Sequence, residues 1–169
     1  MGSRLLSVVL FVLVLAGCAR DEEVALKSRL AAWFYVDDTL YFKSQARCTA
    51  AMFRVMSPRT RAILPVQDSV NAAKQAFTSD GLSAFQKPGY SPNDLTDALL
   101  LKGRGTMGKQ ALAAAAQAVP CFEGTKAEGY LREALTRPGG LMAYDRQSEG
   151  LIVLDPEMRR LFYVAGDVW

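Results

Sequence analysis

Apolar positions recur along this chain with two periods, and the switches between them mark its elements. Asp21-Glu22-Glu23 places carboxylates ahead of Leu26, Leu30, Trp33 and Phe34, which fall at i, i+4, i+7 and i+8. That spacing predicts a helix on one apolar face, opened by acids where the macrodipole is positive. From Thr39 the period shortens: Leu40 and Phe42 alternate with Tyr41 and Lys43, Ser44 to Arg47 form a polar break, and Cys48 to Val55 follow. The pattern reads as a hairpin. Its second limb also satisfies a helical period through Cys48, Met52, Val55 and Met56, so strand and helix both stay open there.

The middle third is helical in pattern. Val66, Val70, Ala73 and Phe77 make one stripe, stopped at Asp80-Gly81. Ser91-Pro92 opens a second helix through Leu95, Ala98, Leu99 and Lys102 to a stop at Gly103. Thr106 can cap an alanine-rich third helix reaching Val119 and halted by Pro120. Thr125 with Glu128 three residues on is a capping-box spacing for a fourth, through Tyr130, Leu131 and Leu135 to Pro138-Gly139-Gly140.

The C-terminal part returns to strands. Leu141 to Tyr144, a polar turn over Asp145 to Gly150, and Leu151 to Leu154 read as a hairpin, and Leu161 to Val164 as one strand more. The run Leu151-Ile152-Val153-Leu154 is apolar on both faces, which predicts a central strand. Strands at both ends with helices between them predict an α+β fold: a small antiparallel sheet from the N- and C-terminal strands, packed on one face against the helices of the middle.

Composition adds bounds rather than detail. The chain has 169 residues, half of them apolar, with 20 Lys+Arg against 17 Asp+Glu and a net charge of +3. These values fit one folded domain over residues 18–169 and exclude a disordered tail or a disulfide-dense miniprotein. The charge is too small and too scattered for a nucleic-acid binder.

The first residues have a different character. Arg4 precedes an apolar run from Leu5 to Ala16, shorter than the roughly 20 residues of a membrane-spanning helix and suited to the apolar region of an export signal over residues 1–17. The run ends in Leu15-Ala16-Gly17-Cys18, which resembles the lipobox of bacterial lipoprotein precursors. The resemblance is confined to residues 1–20. It implies cleavage before Cys18, a diacylglyceryl group on the Cys18 thiol, and an acylated amine (commonly palmitate). It also implies a membrane-anchored protein of the cell envelope. Ala19 stands where an Asp commonly marks inner-membrane retention, so the implied location is the outer membrane, facing the periplasm.

Three cysteines would leave one unpaired in an exported protein. Assigning Cys18 to lipid leaves Cys48 and Cys121, whose pairing an oxidising compartment favours.

Candidate chemistry is sparse. The chain contains no His, which removes the commonest general base and metal ligand, and no metal or other cofactor is expected. Asp37-Asp38 reads as a solvated turn; a carboxylate enzyme would need these acids to converge with Asp145 or Glu149. Gly103-Arg104-Gly105-Thr106-Met107-Gly108-Lys109 resembles a phosphate loop in spacing, but Gln110 stands where a hydroxyl belongs and a helix precedes it. A helix-to-helix connection without nucleotide affinity is expected. A weaker anion site, built from Arg104, Lys109 and free helix amides, stays open.

The leading expectation is therefore a non-catalytic binding or scaffolding domain, held at the membrane by its lipid and partnered by another envelope protein. The alternatives are a carboxylate- or Lys-based enzyme acting on an envelope polymer, and a carrier of a small apolar ligand.

Overall fold

A computed structural model describes residues 19–102 and 106–167. Cys18 and Arg104 lie outside the described residues. The chain enters through helix α1 (Glu23–Ala31), followed by strands β1 (Phe34–Ser44), β2 (Cys48–Thr60) and the two-residue β3 (Val66–Gln67). Next come α2 (Val70–Asp80), β4 (Leu82–Phe85), α3 (Pro92–Lys102), α4 (Thr106–Gln117), α5 (Val119–Phe122) and α6 (Lys126–Thr136). Strands β5 (Leu141–Asp145), β6 (Gly150–Asp155) and β7 (Arg160–Gly166) complete the chain.

One sheet of seven strands results, in the order β1-β2-β7-β6-β5-β4-β3. All its neighbours run antiparallel except β3 and β4. The fold is α+β, as the pattern predicts. The run expected to be central is β6, the middle strand of the order, with every residue buried.

Alternation along the strands sorts side chains into two apolar clusters, one on each face. Ala50, Met52, Val153, Phe162 and Val164 join Phe77, Leu99, Ala111 and Leu131 from the helices α2 to α6. Ala51, Phe53, Ile152, Leu154 and Tyr163 turn the other way and pack with Leu26 and Leu30 of α1. The expectation of cover on one face is thus corrected. The first helix occupies the second face, and both-sided burial is why β6 and β7 read as continuous apolar runs.

Several boundaries differ from expectation for local reasons. Helix α1 ends at Ala31 and Phe34 opens β1, although Phe34 packs with Leu26 and Leu30 as its spacing implied. Aromatic and β-branched residues at 34–36 favour the strand, and shared burial, rather than shared helical structure, produced the apparent stripe. The open choice over residues 48–55 falls to strand, because Cys48 to Arg54 pair residue by residue with Gly166 to Arg160. Val66 belongs to β3 instead of a helix: the Ser69 side chain accepts from the Ala72 amide at 3.3 Å and caps α2 only from Val70. Strand β4 carries too few residues to show a period, and the alanine-rich helix stops at Gln117 before a separate short turn through Pro120.

Two glycines permit close approaches, one between a helix and the sheet and one between neighbouring strands. A Cβ on Gly166 would lie 2.3 Å from the Gln117 Cβ, so α4 settles onto β7 only because that position has no side chain. A Cβ on Gly150 would lie 2.3 Å from the Tyr163 ring.

Candidate functional site

The residues after Cys18 are held to the domain from the first described positions. The Arg20 amide donates to the Gln45 carbonyl at 2.9 Å, in the β1–β2 turn, and the Asp21 amide donates to the Ser44 hydroxyl at 2.9 Å. The Arg20 guanidinium reaches three further points: Asp167 Oδ1 at 2.7 Å, Glu149 Oε2 at 3.1 Å and the Ser148 carbonyl at 3.0 Å. One residue, its side chain 16% exposed, thereby joins three places: its amide holds the β1–β2 turn, and its guanidinium holds the β5–β6 turn and the end of β7. Burial alone would pull its pKa down; the Glu149 hydrogen bond and the surrounding negative charge outweigh this and hold it above its ordinary value.

The bridge expected between Cys48 and Cys121 is present, with Cα atoms 6.0 Å apart. Cys48 opens β2 and Cys121 lies in α5, and both are buried. Around it the Tyr41 hydroxyl donates to the Cys121 carbonyl at 2.5 Å and the Lys43 ammonium to the Pro120 carbonyl at 3.0 Å. The short helix is therefore fastened to the first hairpin by one covalent and two polar links.

Helix α3 ends at Lys102 and helix α4 begins at Thr106, so helices flank residues 103–105, which lie outside the described residues. A cleft of about 230 Å³ opens beside the start of α4, lined by Lys74, Phe77, Thr78, Met107 and Arg146 among others. Arg146 lies 4.3 Å over the Phe77 ring and donates to the Phe77 carbonyl at 2.8 Å. The cations gathered here are Lys74 and Arg146, which nothing in the local sequence pattern singled out; Lys109 sits exposed in the first turn of α4 and does not line the cleft. Gly108 serves packing, since a Cβ there would come within 3.1 Å of Leu100.

The acids proposed as a converging set do not meet. Strands β2, β7 and β6 separate β1, which carries Asp37 and Asp38, from β5, which ends in Asp145. Four strand spacings amount to about 19 Å. Asp38 pairs with Arg54 at 3.3 Å on the surface, and the Asp145 carboxylate accepts from the Gln147 amide and the Ser148 hydroxyl to close its own turn. Glu149 is held by Arg20. Among the described residues no group of three or more acids and cysteines is placed to hold a metal ion.

Arg20 escaped sequence reasoning because its charged partners stand 129 and 147 residues away. No local spacing could carry that signal. Comparison with known protein families, curated proteins and solved structures finds no match for this chain.

Proposed function

We propose that the chain is a lipoprotein of the cell envelope, acylated at Cys18, whose folded domain binds or scaffolds another envelope protein at the outer-membrane surface and catalyses nothing. The observation that carries this reading is the seating of Arg20 across three chain segments directly after the lipobox. A domain fastened so close to an acylated residue is confined to the membrane surface, which raises its effective concentration near membrane-bound partners. The buried Cys48–Cys121 bridge supports export, because such bonds persist in oxidising compartments. The acids nearest to Arg20 and to the β5–β6 turn are engaged in ion pairs and turn closure, a structural use.

The test is metabolic labelling with a radioactive fatty acid, followed by membrane fractionation. The wild-type chain should carry label and fractionate with the outer membrane, and Cys18→Ser should lose the label and accumulate as precursor. Equal labelling of the Cys18→Ser chain would refute the anchor.

A further inference from the structure

We infer that the domain stands on the bilayer with one defined end of its sheet against the lipid headgroups: the β1–β2 turn, the β5–β6 turn and the end of β7. This rests on acylation at Cys18. One peptide unit advances the chain by about 3.8 Å, so a lipid on residue 18 leaves no tether before Ala19 and Arg20. Arg20 in turn is bonded to Gln45, Ser148, Glu149 and Asp167. The same end of the sheet gathers these points, since Cys48 pairs with Gly166, Gly150 with Ala165 and Asp145 with Gly150.

The strands then rise away from the surface. From Gly166 to Arg160 strand β7 advances six steps, about 20 Å at strand rise. The β6–β7 turn, with Met158 39% exposed, therefore faces away from the membrane. Charge does not set this orientation. Arg20, Arg47 and Arg146 at the membrane end are matched in number by Asp145, Glu149 and Asp167, so covalent attachment and the Arg20 contacts determine it.

The test uses the full lipidated protein, purified from membranes and reconstituted into phosphatidylethanolamine/phosphatidylglycerol vesicles. Because Cys48 and Cys121 are bridged and Cys18 is acylated in this reading, each introduced Cys is the free thiol available for a fluorophore. Ala46→Cys and Gln147→Cys report on the two turns of the membrane end, and Met158→Cys on the opposite one. A lipid carrying a headgroup spin label should quench the first two several-fold more than the third. Equal quenching at all three sites in protein that floats with the vesicles, or stronger quenching at position 158, would overturn the orientation while leaving the anchor intact. Protein that neither floats nor carries fatty acid would overturn both. Adding Arg20→Ala should bring the quenching ratio toward one without loss of flotation; an unchanged ratio would remove Arg20 from the account.

Discussion

Removing the Cys48–Cys121 bridge is the perturbation whose magnitude follows most directly from the structure. The two residues are 73 apart in sequence, so in the unfolded chain the bridge closes a loop that would otherwise sample open conformations freely. The chain-entropy relation gives about 4 kcal/mol at 25 °C for a loop of this length, a large share of the roughly 5–15 kcal/mol that holds a domain folded. Both cysteines are buried between β2 and α5, so replacing each by Ala also deletes a packed sulfur, adding about 1 kcal/mol apiece. The assay is equilibrium urea unfolding followed by far-ultraviolet circular dichroism. It compares the oxidised protein, protein reduced while unfolded and then refolded in reductant, and the Cys48→Ala/Cys121→Ala variant. Reduction isolates the loop contribution, and the double variant adds the packing loss. The reduced protein should lose about 4 kcal/mol, and its denaturant slope should rise because the freed unfolded chain exposes more surface. Oxidised and reduced stabilities within about 1 kcal/mol of each other would refute the loop-closure reasoning.

Gly150→Ala should destabilise by about 1–3 kcal/mol, because its Cβ would collide with the buried Tyr163 ring at 2.3 Å. Gly129→Ala should stabilise by about 0.5–1 kcal/mol, since Gly129 lies inside α6 with nothing within 4 Å of a new Cβ; thermal melts of the pair must move in opposite directions. Arg137 ion-pairs with Asp155, whose carboxylate is 3% exposed and also accepts from the Glu157 and Met158 amides. Arg137→Met should therefore cost about 3 kcal/mol or more by stranding a buried charge, and Asp155→Asn in that background should recover part of it; no recovery would locate the loss elsewhere. Burial pushes the Tyr163 hydroxyl up from 10.0 to about 12. A raised folded-state pKa contributes stability that is fully present below pH 10 and lost as pH rises through about 12. Urea midpoints should fall across that window and fall less in Tyr163→Phe, with tyrosinate absorbance reporting the titration; identical alkaline profiles would exclude Tyr163 as a cause.

What could be read from this chain alone is what depends on near neighbours. Helices α3 and α6 announce themselves through caps at Ser91 and Thr125, whose hydroxyls accept from amides three residues on, α2 through its stop at Asp80-Gly81, and the hairpin of β5 and β6 through apolar runs on either side of one polar turn. The cysteine pairing followed from their number and the expected export signal, because parity and an expected oxidising compartment need no geometry. Residues such as Arg20, Lys74 and Arg146 stayed illegible for the opposite reason. The guanidinium that joins the β5–β6 turn to the end of β7, and the cations beside the α4 start, were brought to their places by the sheet order, with sequence separations beyond any periodic signal. The second apolar face went unread as well. Leu26 and Leu30 show that α1 has something to bury, but hydrophobic burial is non-directional, and only packing decided that the partner would be the side of the sheet opposite the other helices.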